Sequence, residues 1–260
     1  MHGRRRFVDG PITVSAGVLP GTVAAADVIL VTVQDGQLPG ALAELEQAPL
    51  APSAVVLHAS GSASPVNAME RLRLLGHPVG TFHPLVPIPD PEHAPALMRG
   101  AWVGVDGDPE AVRAARELAT CAGARVLAIP REGRASYHAA AVMASNFPTV
   151  LAGLATTLMH GVGVDESTAR AAVRHLMRAA VTNLADAEPD VALTGPISRG
   201  DVDTVANHLE ALAAMPELDA VYRALSRAAL PMATAQGTDP AALARIRRLL
   251  DQPAPFTIEA

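Results

Sequence analysis

The sequence contains no lysine, since every one of its 20 basic residues is an arginine. This excludes mechanisms that need a lysine, such as a Schiff base, a lysine general base or the lysine of a phosphate-binding loop. Cysteine is almost missing as well: Cys121 stands alone, so no intrachain disulfide can form. A single cysteine fits a reducing compartment, and we therefore expect a cytoplasmic protein. The sequence around Cys121 shows no basic neighbour, so we expect it to be a small buried side chain.

Aromatic and charged side chains are also scarce, at 3% and 18% of the chain, whereas half of the residues are hydrophobic. Alanine, valine and leucine must therefore build the core of a globular protein. The net charge of −6 argues against a nucleic-acid partner, because duplex binders are usually basic. No apolar run reaches 18 residues, so we expect no membrane partner. Histidine pairs with metal-ligand spacing and the G-x-S-x-G turn of serine hydrolases are both missing, so we expect neither a metal site nor that chemistry.

Strands and helices are predicted to alternate between residues 28 and 130. The continuous apolar runs at 28–33 and 54–58 are typical of strands buried on both faces of a parallel sheet. Three short strands are predicted further on, with helices between the strands; the strands span 79–82, 102–105 and 126–129, and the helices span 38–46, 65–75 and 108–121. After Pro130 the chain is rich in alanine and reads as helical. The pattern predicts an α/β domain with a mostly parallel sheet, followed by an all-α domain.

Four segments carry a more specific pattern: VVLHASG at 55–61, GTFHPL at 80–85, YHAAAVMASN at 137–146 and LTGPISRGD at 193–201. In order and spacing they resemble a Rossmann-like bacterial family whose helical C-terminal half is the domain of unknown function DUF2520. That family is similar in plan to pyrroline-5-carboxylate reductase and 6-phosphogluconate dehydrogenase. The resemblance implies a dinucleotide-binding-type domain at 1–132 and a helical dimerisation and substrate domain at 133–260. It implies an NADP or NAD cofactor and a homodimer, but no known reaction.

The chain departs from that family at its start. Rossmann-like domains open with a strand, a G-x-G-x-x-G turn and a helix, whose backbone holds the pyrophosphate. Here the first βαβ unit is missing or reduced to residues 4–14, so the α/β domain is a truncated one. The glycines at 17–21 and 161–163 have the wrong spacing. Three explanations stay open: the cofactor site is lost, it is rebuilt from other parts, or Met1 is not the true start.

Candidate cofactor-binding residues follow from the rule that ligands of open α/β sheets bind at the carboxyl ends of strands. The residues at the ends of the first three strands are Gln34, Asp35, Ser60, Gly61 and His83. The alternative for each is ordinary turn and capping chemistry, since Asp-Gly is a common turn pair and serine a common helix cap.

Candidate catalytic residues lie on the helix that follows the α/β region. Tyr137 and His138 stand near its start, and Asn146 lies a little over two turns further on. A neutral histidine or a tyrosine there could donate a proton to a carbonyl or imine. Arg199 could bind an acidic substrate group with Thr194 beside it, although a purely structural loop is the alternative.

Three functions are compatible with these residues. The first is an NAD(P)-dependent oxidoreductase that reduces a carbonyl or imine of a small metabolite in a cleft between the two domains. The second is a non-catalytic dimer that kept the fold, lost the nucleotide cradle and binds a metabolite or partner. The third is a cofactor-independent enzyme that uses the same cleft.

Overall fold

The computed structural model describes residues 3–7, 10–14, 19, 21–88 and 94–252. The chain divides into two compact units, Met1–Pro148 and Thr149–Ala260. The first contains all the strands and the second only helices, which confirms the predicted fold class. A helix that begins at Arg134 runs through both units, so the domain division predicted at residues 132 and 133 stays a prediction.

The first unit contains a five-stranded sheet in the order β3-β4-β5-β6-β7. Strands β3, β4 and β5 are parallel, β6 runs antiparallel to β5, and β7 is parallel to β6. A separate antiparallel hairpin, formed by β1 and β2, precedes the sheet. The strands span β1 Gly3–Phe7, β2 Gly10–Val14, β3 Val28–Val31, β4 Val55–His58, β5 Val79–Pro84, β6 Trp102–Gly107 and β7 Arg125–Ala128.

Helices cover both faces of this sheet. Helix α1 (Leu38–Gln47) buries Leu38, Leu42 and Leu45 in a cluster with Val56 of β4. Helix α5 (Pro109–Cys121) packs three alanines against the other face. The remaining helices of this part are α2 (Pro65–Ala68), α3 (Glu70–Leu74) and α4 (Ala94–Met98).

Three local predictions are wrong. Strand β3, predicted to be buried on both faces, lies at the edge of the sheet and leaves Leu30 38% exposed. The helix predicted at 65–75 is split, because Met69 leaves the helical conformation between α2 and α3. Cys121 is exposed rather than buried. The buried face of α5 is the row Ala111, Ala115 and Ala119. A residue two positions after Ala119 is rotated by about 200° at 3.6 residues per turn, which turns Cys121 away from the sheet.

The second unit is helical throughout its described part. Its core joins α9, α10, α11 and α12 around buried residues that include Val205, Leu230 and Ile246. Arg223 is buried in α11, where it pairs with Asp219 and donates to carbonyl oxygens at the end of α12. The helices span α6 Arg134–Gly161, α7 Glu166–Asp186, α8 Pro189–Ala192, α9 Pro196–Arg199, α10 Val202–Leu212, α11 Pro216–Ala235 and α12 Pro240–Asp251.

One segment has the length and composition of a membrane-crossing helix. It spans Arg131–Gly161, and none of its most apolar stretch is buried within this chain. Length and composition alone are weak grounds for a membrane assignment, because an apolar helix that packs against protein has the same character. The expectation of no membrane partner stays a prediction.

Candidate active site

A row of polar side chains crosses three neighbouring strands of the sheet. His58 of β4 is in register with Thr81 of β5, which is in register with Asp106 of β6. Residues paired across strands project from the same face of a sheet. Arg134, the first residue of α6, lies over this row. Its guanidinium is 3.0 Å from the Asp106 carboxylate and 3.1 Å from the Thr81 hydroxyl.

Arg134 ties the start of α6 to the sheet. It is only 5% exposed, and its partner Asp106 is nearly as buried. A third bond, 3.4 Å long, runs from the guanidinium to the carbonyl oxygen of Gly61. A buried arginine is tolerable only when its charge is paired and hydrogen-bonded, as it is here. The side chain therefore holds β5, β6, the loop after β4 and α6 in one arrangement.

His58 lies beside this ion pair and is fully buried. Neither of its ring nitrogens has a hydrogen-bond partner within the described part of the chain. Burial, and then the Arg134 charge, lowers the pKa of His58 to about 4. The ring is therefore neutral at physiological pH and adds no second cation beside Arg134.

His83 and Tyr137 form a hydrogen-bonded pair near the end of β5. Nδ1 of His83 is 2.7 Å from the Tyr137 hydroxyl, and the rings meet edge to face. Gly104, opposite His83 in the sheet, makes room for this pair, since a Cβ there would collide with the Tyr137 hydroxyl. Burial raises the pKa of Tyr137 to about 12. Burial also lowers the pKa of His83, with the neighbouring His138 and Arg134 adding to the effect. At neutral pH the pair thus consists of a protonated tyrosine and a neutral histidine.

Gly61 and His138 complete this polar group. A Cβ on Gly61 would lie 2.6 Å from Nδ1 of His138 and 2.7 Å from the His83 ring. Both rings therefore touch the Gly61 backbone at a distance that no side chain would allow. Nδ1 of His138 is buried and has no hydrogen-bond partner among the described residues. We call Gly61, His83, Arg134, Tyr137 and His138 the His–Tyr cluster.

The loop after β4 is held by its own serines. Oγ of Ser60 accepts hydrogen bonds from the backbone N–H groups of Ser62 and Ala63. The Ser62 hydroxyl donates to Asp35 over 2.8 Å and joins this loop to the one after β3. Burial by itself would raise the pKa of Asp35, but the bond from Ser62 keeps that pKa below its usual value. Asp35 is therefore an anion near Ser60 and Gly61.

A cavity of about 770 Å³ opens beside the His–Tyr cluster. Its walls are the segment from His83 to Pro87, Leu127 of β7 and the first three turns of α6. His83, Tyr137 and His138 stand at one part of the lining, and Ser145 and Asn146 lie further along α6. This volume is typical of sites for small molecules.

The structure thus brings together five of the predicted site residues, Ser60, Gly61, His83, Tyr137 and His138, with Asp35 joined to them through Ser62. Asn146 lines the same cavity. Gln34 precedes a short 3-10 helix, where its carbonyl oxygen accepts from Gln37. Thr194 and Arg199 belong to the second unit, and both are exposed there. The roles predicted for all these residues stay predictions.

Arg134 and Asp106 are the residues that sequence reasoning missed. Nothing near Arg134 in the chain marks it as buried, because its partners stand 28 and 73 positions away. Gly104 did offer a signal, since a glycine inside a strand often marks the close approach of another group. Among the described residues no group of histidine, cysteine or acidic side chains could hold a metal ion.

A comparison with protein-family models gives a match that includes much of the helical part of the chain. Residues 101–229 match the family described as "Domain of unknown function (DUF2520)". This segment is therefore similar to the DUF2520 family. The match begins at residue 101, just before β6, and ends in α11, so the matched segment includes Arg134, Tyr137 and His138 but not His83. A comparison with curated proteins gives no significant match.

Several solved structures have a similar fold. Protein TM1727 from Thermotoga maritima is 24% identical, with a TM-score of 0.68 over 81% of this chain and 80% of that one. The "putative NADP oxidoreductase BF3122" from Bacteroides fragilis is 23% identical, with a TM-score of 0.63 over 79% and 76%. Pyrroline carboxylate reductase from Plasmodium falciparum, with NADP bound, is 10% identical, with a TM-score of 0.55 over 88% and 79%. The chain therefore has a Rossmann-like fold.

Proposed function

We propose that this protein is an NAD(P)-dependent oxidoreductase that reduces a carbonyl or imine group of a small molecule. The observation that carries the proposal is the His83–Tyr137 hydrogen bond at the wall of a cavity of about 770 Å³. The pair stands at the carboxyl end of a parallel strand, where open α/β sheets bind their ligands. The fold supports the same conclusion, because similar structures include an NADP-bound reductase.

The residues present fit one end of a nicotinamide cofactor. His83 and His138 line the cavity, and both rings contact the backbone of Gly61, next to the loop that Ser60 holds. The other end is not accounted for, because the sequence has no G-x-G-x-x-G turn to hold a pyrophosphate. We assign Ser60, Gly61 and His83 to the nicotinamide end and leave the pyrophosphate unassigned. A bound cofactor of this kind would supply the hydride.

Tyr137 is the proton donor in this proposal. Its pKa of about 12 keeps the hydroxyl protonated at neutral pH, so it can donate a hydrogen bond to the oxygen of a carbonyl or the nitrogen of an imine. When the carbon accepts a hydride, negative charge develops on that oxygen or nitrogen. The O–H bond of Tyr137 then breaks, a new O–H or N–H bond forms on the product, and a water molecule returns a proton to the tyrosine.

His83 orients the tyrosine and stabilises its anion. In the tautomer with a proton on Nδ1, neutral His83 donates to the Tyr137 oxygen and frees the tyrosine proton for the substrate. The buried Arg134 charge lies close enough to favour a tyrosinate, since it acts to lower the pKa of Tyr137. Both groups are held before the substrate arrives, which is the condition for electrostatic stabilisation of a transition state.

The test is reduction of a panel of aldehydes, ketones and cyclic imines, followed by the loss of NADPH absorbance. Tyr137→Phe keeps the ring in place over Gly104 and removes only the proton. We expect kcat to fall by about 10²–10⁴, the usual contribution of a general acid. Tyr222→Phe removes the other tyrosine hydroxyl, in the second unit, and serves as the matched control. Equal activity of the Tyr137→Phe variant and the wild type would remove Tyr137 from the reaction.

We also propose that the protein is a homodimer, on the basis of its exposed apolar helices. Three large side chains on α6 and three on α7 are each more than half exposed: Met143, Phe147, Val150, Leu176, Val181 and Leu184. Apolar surface of this extent on a soluble chain usually marks an interface. A second copy of the chain offers the same surfaces, so that a symmetric contact would cover them.

A non-catalytic metabolite-binding dimer is the second candidate. The observation that favours it is the missing G-x-G-x-x-G turn, without which a dinucleotide loses its usual phosphate contacts. The two candidates differ in one measurable respect: the reductase binds NADPH or NADH, and the metabolite-binding dimer binds neither.

A further inference from the structure

The wall of the cavity beside the His–Tyr cluster is mainly aliphatic. Leu85 and Val86 follow β5, Leu127 comes from β7, and Val142 and several alanines project from α6. Leu127 is 40% exposed, so its side chain is open to a molecule in the cavity. A ligand that buries apolar surface against these residues gains about 25 cal/mol for each Å² removed from water.

The described residues of this wall carry no formal charge. Among the described residues that line the cavity there is no arginine, aspartate or glutamate, and the chain has no lysine. The nearest buried cation is Arg134, and its charge is already balanced by Asp106 at 3.0 Å. A carboxylate or phosphate that entered would lose its hydration without meeting a free cation, and such uncompensated burial is strongly unfavourable.

The polar side chains that α6 contributes to the cavity lie at two separate positions along the helix. Tyr137 and His138 lie at one end, and Ser145 and Asn146 lie eight residues further on. At 1.5 Å of rise per residue, these two pairs are about 12 Å apart along the helix axis. A reducible group can reach Tyr137 while a neutral hydrogen-bonding group, if the molecule has one, reaches Ser145 or Asn146. The aliphatic wall covers the distance between them.

We propose that this cavity takes an uncharged, predominantly apolar ketone, aldehyde or imine about 12 Å long and discriminates against carboxylates. The assignment rests on the proposed reductase function and adds the substrate class to it. It separates this protein from enzymes that hold an acidic substrate with a cation in the lining of the site. Uncharged hydroxyl and amide groups are all that the far end of this cavity offers.

The test uses two probes with the same skeleton, benzylacetone and its para-carboxylate. Binding of each to the full-length protein is measured by saturation-transfer NMR, with and without NADPH, and turnover is measured by the loss of NADPH absorbance. We expect benzylacetone to bind at least about tenfold more tightly than the carboxylate, a ratio that corresponds to about 1.4 kcal/mol. Equal binding of the two probes, preference for the carboxylate, or binding of neither would overturn the proposal.

A charge-reversal experiment tests the lining directly. Ala141→Arg places a cation on the cavity wall, and we expect it to bring the carboxylate level with benzylacetone or ahead of it. Ala139→Arg is the matched control, because Ala139 is exposed on the same helix and does not line the cavity. An Ala141→Arg variant that is folded by circular dichroism and keeps the wild-type preference would contradict the assignment. Binding of benzylacetone without turnover would count against the reductase and leave the binding preference standing.

Discussion

The substitution His58→Leu tests the polar row beneath the His–Tyr cluster. His58 is fully buried in β4, and neither ring nitrogen has a partner in the described part of the chain. Leucine has a similar volume and leaves no polar atom unsatisfied. Swaps that conserve volume in a core usually cost less than about 1.5 kcal/mol, and removal of an unsatisfied group offsets part of that cost. At neutral pH we therefore expect the free energy of unfolding of the variant to lie within about 1 kcal/mol of the wild-type value.

The difference between the two proteins emerges in acid. Burial, and then Arg134, lowers the pKa of His58 from 6.5 to about 4 in the folded protein. Between pH 6.5 and about 4, His58 is therefore protonated in the unfolded chain but stays neutral in the folded chain. Because the unfolded state binds the extra proton, the free energy of unfolding decreases over this pH range. At 1.36 kcal/mol per pKa unit, the loss reaches about 2.5 kcal/mol near pH 4.5. The leucine variant has no group at this position to titrate, so near pH 4.5 its free energy of unfolding should exceed that of the wild type by about 2.5 kcal/mol.

The assay is urea unfolding at neutral pH and near pH 4.5, followed by tryptophan fluorescence. Trp102 is the only tryptophan and lies in β6 of the same sheet, so the signal reports on the unit that contains His58. His175→Gln, at an exposed position of α7, controls for the loss of a histidine as such. If His58→Leu and the wild type lose equal stability between the two pH values, His58 is not held neutral by burial and the reasoning fails.

Three further predictions address the same unit and the helices. Arg134→Met leaves Asp106 buried without its partner and should reduce stability by about 3–5 kcal/mol in urea unfolding, with much of the loss recovered when Asp106→Asn is added. Gly61→Ala places a Cβ 2.6 Å from Nδ1 of His138 and should weaken NADPH binding and turnover. The control is Gly36→Ala, whose Cβ meets nothing within 4 Å and which should leave both unchanged. Similar losses in the two variants would contradict the close approach of His138 to Gly61. Phe147→Glu should convert a dimer to a monomer in light scattering, and a wild type that is already monomeric would contradict the proposed interface.

Local patterns in the sequence were enough to predict the architecture. The continuous apolar runs of β3 and β4 predicted two buried strands of one parallel sheet; both are parallel strands of that sheet, but only β4 is buried along its whole length. The carboxyl-end rule then selected Ser60, Gly61 and His83 without any knowledge of the helix that would cover them. The fold class could be predicted because it depends on local patterns along the chain, whereas the cofactor-binding role of Ser60, Gly61 and His83 stays a prediction.

The parts that sequence reasoning missed depend on contacts between distant residues. Arg134 looks like any exposed arginine at a helix start, and its burial follows only from the approach of Asp106 and the Gly61 carbonyl. The pairing of His83 with Tyr137 joins residues 54 positions apart. Gly104 marked the place where the tyrosine lies, but a glycine in a strand does not say which group approaches it.

We propose that the first unit binds a nicotinamide cofactor beside the His–Tyr cluster. Calorimetric titration of the full-length protein with NADPH and NADH measures this binding. We expect saturable binding of at least one of them, weakened by Gly61→Ala and unchanged by Gly36→Ala. Absence of binding by both at millimolar concentration would contradict the reductase and favour the metabolite-binding dimer.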